Sequence, residues 1–279
     1  MPKKSANEKI LKKKMKFSEK LDSAIKKNKS QVCIGLDIDL SKIPKEIRST
    51  DDPIYNFNKK IIDATQDLVC AYKPNIAFYE AYGMYGLEAL IRTIEYIEKT
   101  NIPVILDAKR GDVGHTARAY AKAIFEVYKA DATTVNPYLG HDSIEPFLQY
   151  RDKGIFILCL TSNIGFKDFQ VVGKEEPLYI SVARHVKEWN HFGNCGVVVG
   201  ATSAEELKEI KKIVGNMPIL IPGVGAQGGD LERSVKFGGQ RAIINSSRGI
   251  IYASQTEDFD SAAREVAKKL RERIESSRR

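Results

Sequence analysis

Asp107, Lys109 and Asp112, in the run I-L-D-A-K-R-G-D-V-G-H-T from Ile105 to Thr116, are the residues whose types and spacing offer chemistry most directly. On an extended strand, side chains two residues apart share a face, so Asp107 and Lys109 point the same way. Gly111 and Gly114 permit a sharp turn that returns Asp112 to their neighbourhood. The outcome is a carboxylate, ammonium, carboxylate constellation. Such a set keeps an amine charged and fixed, and it preorganises a field for a centre where negative charge develops. A solvated salt-bridge cluster would carry the same residues but is worth only ~0–1 kcal/mol per exposed pair. Position argues for the ligand-facing reading. The charges end a buried apolar strand over Pro103 to Leu106, ahead of a helix from Ala117 to Tyr128, and the carboxyl ends of buried strands in α/β patterns line ligand crevices.

The elements that must hold this cluster recur along the chain. A first strand over Gln31 to Leu36 ends in Asp37, Ile38 and Asp39, and Asp39 reads equally well as a helix N-cap and as a functional acid. A helix near Asn56 to Asp67 leads to a second strand, Leu68 to Tyr72, which ends in Lys73, Pro74 and Asn75. Pro74 disfavours helix at Lys73, so the amine projects from the strand end. Leu87 to Lys99 is the next helix, and the opening strand follows it.

Ala132 to Val135 forms a fourth strand followed by N-P-Y-L-G-H-D. His141 and Asp142 there supply two candidate ligands without a third at a usual spacing, so no metal site is expected. The fifth strand, Gly154 to Leu160, continues as T-S-N-I-G. The hydroxyls of Thr161 and Ser162 and the amide of Asn163 suit a polar heterocycle, although all three are also ordinary turn residues.

After a helix over Leu178 to Trp189 come strands at Gly196 to Gly200, Pro218 to Ile221 and Ala242 to Ile244. The last two are followed by P-G-V-G-A-Q-G-G-D and N-S-S-R-G-I. Gly-rich turns that open helices present backbone N–H groups to a phosphate, and Arg248 adds a bidentate clamp. Phosphate sites of (β/α)₈ barrels lie after their last two strands, which matches this eight-fold alternation. Gly223 and Gly225 lack the third glycine of a dinucleotide fingerprint, and no G-K-[ST] loop is present.

A chain of 279 residues, 43% hydrophobic and 29% charged, accommodates one large α/β domain. The reading is a (β/α)₈ TIM barrel over residues 31–279 with an N-terminal helical extension over 1–30. Ile10, Leu11, Met15, Phe17, Leu21 and Ile25 recur there at helical spacing and are suited to cap the barrel's bottom. The net charge of +8 is concentrated at the ends, in Lys3, Lys4, Lys9, Lys12 to Lys14 and the run Arg271 to Arg279. That is a solvated face, and without basic residues interleaved with stacking aromatics no nucleic-acid partner is expected. Four cysteines, lying singly in or beside apolar runs, read as small buried hydrophobes in a reducing cytosol. No apolar run approaches ~20 residues and the basic N-terminus lacks an apolar signal core, so the expectation is a cytoplasmic protein without a membrane partner.

The motifs G-L-D-I-D, Y-K-P-N, D-A-K-R-G-D-V-G-H-T, P-G-V-G-A-Q and N-S-S-R-G-I stand in one order between Val32 and Tyr252. This arrangement resembles the orotidine 5′-phosphate decarboxylase family, and P-Y-L-G-H-D is similar to its second, mostly bacterial, subgroup. The resemblance implies a homodimeric barrel that converts orotidine 5′-phosphate to uridine 5′-phosphate and CO₂, the last step of de novo UMP synthesis, with neither metal nor organic cofactor. It implies that Lys73, Asp107, Lys109 and Asp112 form an alternating charge network, with Asp112 and Thr116 reaching into the partner subunit's site. It assigns Asp37 to the ribose, Ser162 to the pyrimidine, with Thr161 adjoining as the alternative, and Gln227 with Arg248 to the phosphate. A partnership with orotate phosphoribosyltransferase, the preceding enzyme, is compatible with it.

Decarboxylation of this kind leaves a ring carbanion with no neighbouring carbonyl or cofactor to delocalise it. Lys109 is the group to stabilise and then protonate it, while Asp107 near the substrate carboxylate disfavours the ground state. Phosphate binding energy contributes by closing a loop that includes Gln227 to Asp230. Metal-dependent sugar-phosphate decarboxylases and synthases of the same superfamily carry a similar D-x-K-x-x-D element. Lys73, an amine where such enzymes want an acidic ligand, and the intact Arg248 set this chain apart from them.

Overall fold

The computed structural model describes residues 15–224 and 230–278. Eight strands run β1 Val32–Leu36, β2 Ala71–Pro74, β3 Ile105–Arg110, β4 Ala132–Val135, β5 Gly154–Leu160, β6 Cys195–Val199, β7 Ile219–Ile221 and β8 Ala242–Ser246. All pairings are parallel, in the order β2-β1-β8-β7-β6-β5-β4-β3. Single parallel bridges, Tyr72 to Val104 and Asn75 to Asp107, bring β2 against β3 and close the ring. A helix α1, Phe17–Asn28, precedes the barrel. One main helix follows each strand in turn: α2 Pro53–Thr65, α3 Gly83–Glu98, α4 Gly114–Lys122, α5 His141–Leu148, α6 Leu178–Trp189, α7 Ala204–Val214, α8 Leu231–Gly238 and α9 Phe259–Ser276. The eight-fold alternation expected from the sequence is therefore realised as a (β/α)₈ barrel.

The strands are apolar on both faces because both are covered. One face packs on the helices. The other fills the barrel with Cys33, Ala71, Ile105, Ala132, Phe156, Val198, Leu220 and Ile243. Phe17 and Leu21 of α1 join this inner cluster from below, with the Phe17 ring edge-on to Phe156 at 5.6 Å. Burying two such side chains is worth roughly 1.5–3 kcal/mol each, so α1 plugs the lower end as its apolar stripe suggested. Ile10 and Leu11, also expected to be helical, lie outside the described residues.

Some boundaries moved, for identifiable reasons. β2 runs on through Lys73 and Pro74, which pair with Gly35 and Leu36. β3 extends past Leu106 to Arg110, so the strand itself carries Asp107 and Lys109, as the shared-face reading requires. The helix expected over Ala117 to Tyr128 starts earlier, at Gly114, and ends in a π-helical turn over Ala123–Val127. The basic C-terminal stretch turns out to be mostly helix: Phe259, Ala263, Ala267, Leu270 and Ile274 bury one stripe of α9 and leave its charges to solvent.

Candidate active site

Strand alternation positions the charged side chains. Ala71 and Ile105 lie in the inner core, so the residues two positions on, Lys73 and Asp107, rise on the same face at the barrel's carboxyl mouth. Both are nearly enclosed, at 4% and 8% exposure. The Lys73 ammonium donates to Asp107 Oδ2 at 3.0 Å, and the Lys109 ammonium donates to Asp107 Oδ1 at 2.6 Å. Thr134 Oγ1 donates to the same Oδ1 at 2.8 Å. Burial alone would push the Asp107 carboxyl up, but the two ammonium groups outweigh it and hold the carboxyl well below its ordinary range. Burial likewise works against the Lys73 cation, and the carboxylates of Asp107 and Asp37 more than offset it, raising its pKa. The Lys109 side chain is 49% exposed and is the member of the network that faces the open mouth.

Simple alternation does not by itself explain Lys109. Its backbone takes φ 45°, the left-handed region that a side chain seldom enters. The β3–β4 register slips between Leu106 and Arg110 at the same place. The left-handed conformer costs roughly 1–2 kcal/mol for a residue with a Cβ. It is held by a hydrogen bond from the Lys109 N–H to Thr134 Oγ1 at 3.0 Å. Bulges of this kind re-aim side chains beside active sites.

Asp37, Ser162 and Arg248 line one cavity of about 690 Å³ together with Lys73 and Asp107. A deeper recess of about 400 Å³ adjoins it, bounded by Lys109, Thr134 and Ser162 over a floor of Leu158, Val198 and Leu220. Arg248 opens the single-turn helix Arg248–Ile251 after β8 and makes no ion pair among the described residues. Among the described residues one Asp37 carboxylate oxygen is buried without a hydrogen-bond partner, an arrangement costing about 1–3 kcal/mol that a ligand hydroxyl would relieve. Thr161 is committed elsewhere: its N–H donates to Gln170 Oε1 at 2.7 Å and its hydroxyl to Asn163 Oδ1 at 2.6 Å. Ser162 lines both the cavity and the recess. Gly200 makes room for it, since a Cβ there would stand 2.8 Å from the Ser162 N, Cα and Cβ.

Asp112 and Thr116 are not brought to this cavity. Gly114 supplies the turn with φ 57°, yet the Asp112 carboxylate accepts from the N–H of Val113 at 2.8 Å and forms no ion pair with Lys109. Thr116 is exposed in the first turn of α4. The expectation that the turn returns Asp112 to its own chain's network is therefore not met. Gln227 lies outside the described residues. Asp39 takes the capping role, accepting from the N–H and hydroxyl of Ser41 at 3.0 and 2.6 Å. The His141 ring rests 5.3 Å from that of Trp189, and no three His, Cys, Asp or Glu side chains among the described residues are grouped to hold a metal. The four cysteines are free and buried, with burial pushing the Cys33 thiol up to about 12. Sequence reasoning missed Thr134 and Gln170, whose contacts lie 27 and 9 residues away along the chain.

A closed parallel barrel with an ammonium–carboxylate network at its carboxyl mouth and an arginine on the Ser/Gly turn after β8 has the architecture of a (β/α)₈-barrel enzyme. The chain belongs to the orotidine 5′-phosphate decarboxylase / HUMPS family, whose model matches residues 30–265. It is 51% identical over 274 residues to orotidine 5′-phosphate decarboxylase of Cellvibrio japonicus (strain Ueda107), covering 95% of this chain and 100% of that one. The corresponding enzyme of Ralstonia pickettii (strain 12J) is 47% identical over 272 residues, covering 95% and 100%. The solved structure of Leishmania donovani OMP decarboxylase superposes with a TM-score of 0.82 at 37% identity, over 95% of this chain and 99% of that one.

Proposed function

We infer that this chain is a carboxy-lyase that converts orotidine 5′-phosphate to uridine 5′-phosphate and CO₂ in pyrimidine biosynthesis. One observation carries the mechanism: Asp107 is gripped between two ammonium groups, one on each carboxylate oxygen, with Lys109 on the open side. In this reading the substrate carboxylate enters beside Asp107, where like charge raises the ground state. The bond to CO₂ breaks and its electron pair stays on the ring carbon. The Lys109 ammonium stabilises that pair and delivers a proton to it, and the resulting amine is recharged from solvent. Lys73, too enclosed to reach far, orients the network and the ribose.

The remaining contacts follow from the cavity. Asp37 holds the ribose through its unpartnered oxygen, Ser162 the pyrimidine, and Arg248 the phosphate, with Gln227 as its companion. Ser162 is favoured over Thr161 because the Thr161 hydroxyl is already engaged by Asn163. In this reading the Lys109 ammonium supplies the positive charge that the carbanion needs, and Asp107 is held by the chain's own two ammonium groups.

Asp112 and Thr116, turned away from their own cavity, act in a homodimer by entering the partner subunit's site. Support comes from Val113, Tyr138, Leu139, Ile164 and Phe169, large apolar side chains left exposed on the segments that follow β3, β4 and β5. No helix among the described residues is long and apolar enough to cross a membrane. A cytoplasmic setting fits a pyrimidine-biosynthesis enzyme, and an association with orotate phosphoribosyltransferase is compatible with this reading. The direct test follows substrate ultraviolet absorbance on adding protein with a chelator present. Undiminished turnover is expected, and activity lost to the chelator and restored by Mg²⁺ would move the chain to the metal-dependent branch of its superfamily.

A further inference from the structure

We propose that Thr134 is a positioning residue for the decarboxylation, its one hydroxyl fixing both the carboxylate of Asp107 and the left-handed backbone of Lys109. Thr134 sits on β4, faces the recess beneath the cavity and is 1% exposed. Its neighbour Thr133 is equally enclosed but donates to the Leu106 carbonyl at 2.9 Å, an ordinary strand-to-strand contact. Thr134 instead joins two members of the charge network. The Lys109 N–H donates to Thr134 Oγ1 at 3.0 Å, and Thr134 Oγ1 donates to Asp107 Oδ1 at 2.8 Å. Chemistry sets the direction of both bonds, because an amide N–H only donates and an ionised carboxylate only accepts.

The result is a closed ring. It runs from the Lys109 backbone through Thr134 to Asp107 Oδ1, and from there back to the Lys109 ammonium at 2.6 Å. Both ends of Lys109 are thereby referred to one oxygen atom. The left-handed φ of 45° and the slip in register with β4 are the backbone's accommodation to that ring. Without the hydroxyl, Asp107 keeps its two ammonium partners but Oδ1 is no longer tied to β4, and the Lys109 N–H loses its partner. The backbone then relaxes toward ordinary strand geometry and the ammonium moves off the ring carbon. Displacements near 1 Å at a reacting group cost about 10²-fold in rate.

The proposal rests on Lys109 as the proton donor, and the test separates the two. Thr134→Val keeps the side-chain shape and removes the hydroxyl. Its kcat should fall roughly 10- to 100-fold while KM changes less than about threefold, because Asp37 and Arg248 sit on the segments after β1 and β8, away from β4. Thr134→Ser, which keeps the hydroxyl, should recover to within a few-fold of wild type. Affinity for uridine 5′-phosphate should be unchanged in both. Should the valine variant not fold, Thr134→Cys replaces it, with a sulfur too weak as donor and acceptor to complete the ring. Cysteine low and serine near wild type supports the proposal. Equal activity in serine and valine (or cysteine) variants overturns it, as does a loss confined to KM. If Lys109→Ala is itself active, the proton-donor reading fails. If Lys109→Ala is inactive while Thr134→Val turns over normally, only the role of Thr134 fails.

Discussion

Replacing Lys73 with methionine tests whether the network is as enclosed as its geometry indicates. Methionine keeps most of the chain's length and removes the ammonium that donates to Asp107 Oδ2 at 3.0 Å. Taking one partner from a buried ion pair costs about 3–5 kcal/mol, because the other charge is left uncompensated. Asp107 would retain Lys109 and Thr134 on its other oxygen, so the loss should fall near the lower end, about 3 kcal/mol at neutral pH. Adding Asp107→Asn removes the stranded charge, and the double variant should regain at least ~1 kcal/mol through their coupling. The assay is urea unfolding at matched protein concentration across a range of pH.

The pH dependence has a definite sign. Lys73 is raised in the folded state, so its contribution is complete below the ordinary lysine value of ~10.4 and is lost as pH rises above it. Asp107 is depressed, so its contribution is present above ~3.9 and is lost as pH falls below that. The gap between wild type and Lys73→Met should be flat from about pH 5 to 9 and narrow at both extremes. A variant within about 0.5 kcal/mol of wild type, or a gap that widens above pH ~10.4, would refute the buried-network argument.

Other consequences are as direct. Gly200→Ala places a Cβ 2.8 Å from the Ser162 backbone, so the serine must shift; kcat/KM should fall with KM rising, alongside an overpacking cost of about 1–3 kcal/mol in a denaturation curve. Arg248→Ala should lower kcat/KM at least ~10-fold on the phosphorylated substrate, since charge-assisted bonds are worth about 1.5–3 kcal/mol, and should match wild type on a substrate lacking the phosphate. Mixing inactive Lys109→Ala with inactive Asp112→Ala subunits should restore turnover, because one of the two sites in such a heterodimer is wholly wild type. No recovery after verified subunit exchange counts against shared sites.

The barrel and most of its mouth were legible because period-two and helical apolar patterns are local signals. So was Lys73, through the constraint that Pro74 places on the residue before it. Asp107 and Lys109 were read as sharing a strand face, and they do meet, but the route is different. A kinked Lys109 backbone and a threonine on the next strand bring them together, and neither leaves a local trace. Asp112 shows the opposite failure, since glycine spacing signals that a turn exists and is silent on where it leads. The helix α9 was hidden by its charges, although Phe259, Ala263, Ala267, Leu270 and Ile274 carry the spacing of a buried stripe.

Lys109, held against Asp107 and facing the cavity, is the proposed source of the proton. Its most direct test is the turnover of Lys109→Ala on orotidine 5′-phosphate, with folding verified by circular dichroism and uridine 5′-phosphate binding measured on the same sample. Product affinity should persist, because Asp37 and Arg248 reach the cavity from the segments after β1 and β8. Turnover should drop by several orders of magnitude, on the order of 10³-fold or more, as expected when a stabilising cation and its proton are both removed. Near-normal turnover in the folded variant would contradict the account.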